Sequence, residues 1–132
     1  MNKDFTLYPE AFELKQLGFA DPCLTYIYTG DTGNNYNVSC AVLPSKAKNF
    51  NEDDLCISTP TYLQAFRWFR DTHKLNAQIA FCEYSVSSEN SWKYTLDNPT
   101  KVQIWDGKFD SYEEAELYCL RKLIEIIKGG NK

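Results

Sequence analysis

The only nucleophile–base pair that could include a histidine joins His73, the single histidine of the 132-residue chain, to Cys82 or Cys119. Such a pair activates a thiolate for covalent catalysis when the two side chains meet. Both cysteines sit on apolar patterns, where buried and inert thiols are the norm, and His73 continues an aromatic stripe. No catalytic residue is assigned on this basis. The five cysteines (Cys23, Cys40, Cys56, Cys82 and Cys119) are odd in number, widely spaced and without a C-x-x-C pair. A zinc site would need ligands gathered from distant positions, so neither a metal nor a cofactor is expected. Asn51-Glu52-Asp53-Asp54 supplies carboxylates, but not at the spacing of a calcium loop. Gly30 and Gly33 lack the spacing and the following Lys-Ser/Thr of a phosphate loop and read as turn residues.

Composition narrows the classes further. Eight Phe, nine Tyr and three Trp provide a sizeable core without disulfides, and the length fits one globular domain over 1–132. The net charge of −4 argues against a duplex-DNA binder, which normally carries a basic surplus. No apolar run is long enough to span a membrane. The opening MNKDFTLYPEAF has no apolar stretch of the signal-peptide kind. With the unpaired cysteines, this predicts a cytoplasmic chain with reduced thiols.

The element that must organise these groups is Pro60–Lys74, the most aromatic stretch. It reads as a helix with Thr59 as N-cap and Pro60 at the first position. At about 100° per residue, Tyr62, Ala65, Phe66, Phe69 and His73 share one face, with Leu63 and Trp68 flanking it. Arg67, Arg70 and Lys74 make it the one basic segment, either a solvated flank or a contact for an acidic or phosphate-bearing partner.

Around it, Tyr8–Leu17 reads as a short helix with Pro9 in its first turn and Gly18 just past its end. Leu24–Tyr28 and Tyr36–Leu43 read as hairpin strands. Residues 44–58 form a long loop, suited to binding or to mobility. Ala77–Val86 reads as a strand apolar on both faces, hence central or at a subunit interface. Trp92–Leu96 and Lys101–Trp105 alternate as further strands, and Asp106-Gly107 turns the chain towards a last helix. Ser111-Tyr112-Glu113-Glu114 is a capping box for that helix. It runs to about Lys128, leaving 129–132 as a flexible tail. Glu116 falls in the middle of its apolar face, either wet near a sheet edge or paired indoors with Arg67, Arg70 or His73. Tyr-x-x-Ala recurs at Tyr8, Tyr62 and Tyr112, each time at a helix start, a pattern that duplicated helix–hairpin units would produce. The expected fold is α+β, in the order α-β-β-α-β-β-β-α, with an antiparallel sheet carrying helices on at least one face.

Three stretches carry a resemblance: Ala11–Phe19 with Asp21-Pro22-Cys23, Pro60–Arg70, and Ser111–Leu117 with Leu120–Ile124. Together they resemble a group of short proteins of phages and mobile elements of Bacteroides-type gut bacteria. That resemblance implies a cytoplasmic accessory protein acting in the host cell, and it carries no activity or site residue. Three strands followed by Gly107-Lys-Phe-Asp-Ser-Tyr-Glu-Glu-Ala115 also look like the strand-to-helix junction of AP2-type DNA-binding domains. This second likeness implies that Lys93, Lys101, Gln103, Trp105 and Lys108 could read DNA from the sheet. The order α-β-β-β-α is also that of double-stranded RNA-binding domains. Their last helix meets phosphates with lysines, whereas this one opens Glu113-Glu114-Ala115-Glu116 and would repel them.

Three readings follow, in order of preference. The first is a non-enzymatic contact protein that engages a host or phage protein through the rings of Trp68, Trp92 and Tyr84, with self-association through the sheet giving a homodimer. The second is a nucleic-acid binder using the 77–105 sheet, with Lys93, Lys101, Trp105, Arg67 and Arg70. The third is an enzyme with a cysteine nucleophile.

Overall fold

Every helix begins at the tyrosine of a Tyr-x-x-Ala run. In the computed structural model, which describes residues 4–30, 38–83, 90–97 and 103–130, α1 is Tyr8–Gln16, α2 is Tyr62–His73 and α3 is Tyr112–Gly130. The three alanines, Ala11, Ala65 and Ala115, are all fully buried. A methyl group one turn into each helix lets the backbone approach its neighbours closely. The recurrence therefore marks a way of seating a helix.

The starts differ in their caps. Pro9 occupies the first turn of α1, and Gly18 follows its end at φ 95°, a left-handed backbone that suits glycine. At α2 the cap is Thr61, whose Oγ1 accepts from the Gln64 N–H at 3.1 Å, and not Thr59. The Pro60 carbonyl instead accepts from Thr6 N–H, so the chain is still paired there and the helix starts two residues later than expected. Ser111 Oγ accepts from Glu114 N–H at 3.1 Å, as the capping box predicts. α3 runs on through Gly130, so the helix takes in the glycines expected to begin a tail, while 131–132 lie outside the described residues.

The fold is α+β with antiparallel sheets, and the elements follow the expected order with one strand added. Where composition allows one domain, the residues gather into two compact units, Met1–Gln64 and Ala65–Lys132, with the boundary inside α2.

In the first unit, β1 (Thr25–Tyr28) lies between β2 (Val38–Ala41) and β3 (Cys56–Ser58). The added strand, β3, falls within 44–58, which is not one long loop. Two short 3-10 turns, Pro44–Lys46 and Phe50–Glu52, lead into it, and all three of its residues are buried. α1 packs on β3, and Ala11, Leu14, Phe19, Ile27 and Ile57 are buried.

In the second unit, β4 (Asn76–Glu83), β5 (Asn90–Asp97) and β6 (Gln103–Phe109) form a meander, with α3 against all three strands. β4, expected to be central or to lie at a subunit interface, is an outer strand of this sheet among the described residues, and its Ala80 is exposed. Asp106-Gly107 does not turn the chain. It continues β6 through a register shift, Tyr94 pairing with Asp106 and Trp92 with Phe109. That spacing leaves one extra residue on β6, and a glycine in a strand commonly marks such a bulge. The two sheets have different strand orders, which separates them as topologies despite the repeated helix starts.

The outer edge of β3 has no strand beside it among the described residues. Ile57 faces β1, so the polar backbone of Cys56 and Ser58 points the other way. Cys56 N–H donates to the Asp53 carbonyl at 3.1 Å, and side chains meet the Cys56 carbonyl and Ser58 N–H. Asn51 Oδ1 accepts from Ser58 N–H at 2.8 Å while Asn51 Nδ2 donates to the Phe19 carbonyl at 3.0 Å. Lys15 Nζ donates to the carbonyls of Cys56 at 2.7 Å and Asp53 at 2.9 Å. Ser58 Oγ accepts from Phe50 N–H at 3.0 Å. Replacing Asn51 by Ala strips two backbone groups of these partners and should cost about 1–3 kcal/mol for each group left buried and unpaired. Asn49→Ala, which removes one bond to Asn51 N–H, should cost about 0.5–1.5 kcal/mol. Urea unfolding of the two variants checks the order.

Candidate functional site

Successive side chains of a strand point to opposite faces, so β1 serves two surfaces. Thr25 and Ile27 belong to one face of the first sheet, with Ser39 and Ala41 of β2 opposite them. Tyr26 and Tyr28 belong to the other.

On the Thr25 face lies a largely apolar cleft of about 590 Å³. Its floor includes Ile27, Ser39 and Ala41, and its wall is the segment Phe5–Pro9. That segment is fixed by an extended bridge of Phe5 to Thr61 and by Thr6, whose N–H and Oγ1 both donate to the Pro60 carbonyl at 2.9 and 3.0 Å. Thr25 Oγ1 donates to the Thr59 carbonyl at 2.7 Å and closes one end. Leu7 and Tyr8 stand on the rim, 51% and 40% exposed, and Tyr8 stacks on the exposed Phe12 with ring centroids 6.0 Å apart. A helix turn explains that pair, because residues four apart share a face.

The backbone beside this cleft is open. Val42 N–H donates to the Leu24 carbonyl, so Val42, Cys40 and Val38 point their polar groups at β1. Ser39 and Ala41 therefore point theirs outwards, and no strand lies there among the described residues. β2 is unlike β3 in this respect: one edge is sealed by side chains and the other is not.

On the Tyr26 face a second cleft, of about 840 Å³, is lined by Tyr26, Tyr28 and Phe50 together with Glu52, Asp53 and Asp54. Tyr26 stacks on Phe50 at 4.1 Å. A hydrogen bond with Cys40, the residue opposite it on β2, helps hold the Tyr26 phenol above its ordinary pKa. The Tyr28 ring lies over Gly30, where a Cβ would displace its phenol end. Lys48 Nζ sits 5.4 Å from the Phe50 ring centroid.

The residues expected to carry function are dispersed. Trp68 is not an exposed ring: it is buried, edge-on to Phe69 and to His73 at 5.0 Å each. Projection onto an ideal helix puts it beside the apolar stripe, and its large ring reaches inwards. On α1, Phe12 is 39% exposed while Ala11 and Leu14 are buried. Trp92 is half-buried, edge-on to Tyr112 at 5.3 Å. Arg67 and Arg70 are exposed, with Arg70 Nε 3.5 Å from Asp71 Oδ1. Lys93 and Trp105 take strand positions, paired with Ala80 and Thr95, but their side chains lie outside the described residues. Tyr84 and Lys101 lie outside them altogether, and so does the side chain of Cys82.

Two of the cysteines, Cys119 and Cys23, are buried thiols. Burial, reinforced by the Glu116 charge, pushes the Cys119 thiol up to about 12, and burial does the same to Cys23. Both remain protonated at neutral pH and are poor nucleophiles. Among the described residues no group of three His, Cys, Asp or Glu side chains could hold a metal ion. Glu116 is buried rather than wet and shares a hydrogen bond with the Tyr112 phenol one turn earlier.

Comparison with protein-family models, with curated proteins and with solved structures gave no match. No helix in the described residues is long and apolar enough to cross a membrane.

Two titrations report on the second unit. His73 Nε2 is buried without a hydrogen-bond partner, and burial lowers the imidazole pKa below its ordinary 6.5. The unfolded chain then binds the proton more readily, so stability should fall as pH drops below about 6.5. Melting temperatures at about pH 7.5 and pH 5.5 should differ more for the natural protein than for His73→Gln. The Tyr112 phenol is raised above 10, first by burial and then by Glu116. Glu116→Gln should bring its ionisation part of the way down, as read by tyrosinate absorbance against a Tyr112→Phe reference.

Proposed function

We propose that this chain is a small contact protein that binds an extended, apolar segment of a partner protein in the cleft beside β2. The observation that carries the reading is the conjunction of an apolar cleft, a rim of exposed Leu7 and Tyr8, and the outward-pointing backbone of Ser39 and Ala41. An added strand would satisfy that backbone while its alternate side chains enter the cleft. Burying Leu7 and Tyr8 on binding contributes about 25 cal/mol for each Å² of apolar surface removed from water. The resemblance of Ala11–Phe19, Pro60–Arg70 and Ser111–Leu117 to proteins of phages and mobile elements suggests an accessory role in the bacterial cytoplasm, with a host or phage protein as partner.

The experiment is capture of partners by the tagged protein from bacterial lysate, with and without nuclease, alongside two variants. Leu7→Asp charges the rim. Ala41→Pro removes only an outward N–H and so blocks strand addition without breaking the pairing to β1. The expected result is a protein partner that survives nuclease and is lost with either variant, while circular dichroism and melting temperature stay close to the parent's. A partner retained by both variants would overturn the reading. Recovery of nucleic acid that dissociates as salt rises would replace it with the sheet-reading alternative.

A further inference from the structure

The cleft on the Tyr26 face has a chemistry that the proposed function does not use. Its floor is aromatic, with Phe50 stacked on Tyr26 and Tyr28 held down over Gly30. Its lining carries three carboxylates against the ammonium of Lys48, while the Lys15 ammonium is taken up by the backbone carbonyls of Cys56 and Asp53. Asp53 Oδ1 accepts from Leu55 N–H at 2.8 Å and is committed to its turn. Glu52 and Asp54 are exposed, and neither carboxylate has a hydrogen bond or ion pair among the described residues. The protein also shows how a cation sits in this place, because its own Lys48 Nζ lies over the Phe50 ring at 5.4 Å. A cation over a ring face is held by the ring quadrupole, and nearby carboxylates add to the attraction.

We propose that this cleft is a site for a cationic side chain, an arginine or lysine of a partner protein, held between the aromatic floor and the carboxylates of Glu52 and Asp54. The charge complementarity selects a basic occupant, and the volume accommodates the side chain together with its flanking backbone. Lys48 then acts as a resident competitor that the incoming cation displaces from Phe50. The site lies on the opposite face of β1 from the apolar cleft, so it stands or falls separately from the strand-addition reading.

The test is titration of the full chain with N-acetyl-arginine amide, followed by NMR at the Tyr26, Tyr28 and Phe50 rings, with the neutral citrulline analogue as reference. Saturable shifts at those rings with the arginine probe and none with citrulline are expected. The Glu52→Gln/Asp54→Asn double variant should weaken binding by about tenfold. A Glu113→Gln/Glu125→Gln double variant, which changes the net charge equally, should leave it unchanged. Lys48→Met should tighten binding by about two- to fivefold, because it removes the competitor while the backbone bridge of Lys48 to Cys23 needs no side chain. Absence of ring shifts, equal binding of citrulline, equal weakening by the control double variant, or weaker binding by Lys48→Met would each overturn the proposal.

Discussion

The first unit depends on what happens along the outer side of β3. A strand of three residues gains little from its own ladder, and its Cys56 and Ser58 backbone would lie buried without partners if nothing met it. Asn51 and Lys15 meet it, one from the turn just before the strand and one from α1. The same two side chains reach the Phe19 and Asp53 carbonyls, so the loop after α1, the strand and the turn are tied at one place. With β3 secured, β1 lies between two strands, and its alternating side chains reach both clefts.

The two faces of β1 differ because their surroundings differ. On one, the segment Phe5–Pro9 supplies apolar walls and its polar backbone is taken up by Pro60 and Thr61. On the other, the turns after β2 bring Phe50 against Tyr26 and leave carboxylates at the mouth. A dry surface and a charged aromatic one are thus separated by the thickness of one sheet. The second unit is built on a ring ladder, with Tyr94 against Phe109 and Phe109 against Tyr118, and with Arg121 over the outermost ring. Its buried carboxylate is held by a phenol of its own helix, which avoids the cost of an unpaired charge.

Much of the fold could be read from local signals. Tyrosine and alanine at helix starts, Pro9, Gly18 and the Ser111 box act within a turn of chain, and the alternation of Trp92, Tyr94 and Leu96 acts within one strand. β3 could not be read because it is too short to show a period, and its partners Lys15 and Asn51 come from another element and from a polar turn. Asp106-Gly107 carries a turn signal that a β-bulge satisfies equally well. The clefts were invisible for the same reason as β3: they join residues 5–9, 25–27 and 39–41, or 26–28 with 48–56, which no local pattern relates. Trp68 shows the limit of helical projection, since an angle on a wheel says nothing of how far a large ring extends.

The open side of β2 has a consequence for the protein's own solubility. Exposed strand edges pair with whatever strand arrives, and natural proteins limit this with short strands or charge. β2 is four residues long and carries no charged side chain, so among the described residues its brevity is what limits such pairing. At high concentration the most available strand is another molecule's β2, and crowding in an overexpressing cell would favour disordered association. A chain made in modest amounts would avoid that fate, so the feature ties the protein's behaviour to how much of it is synthesised.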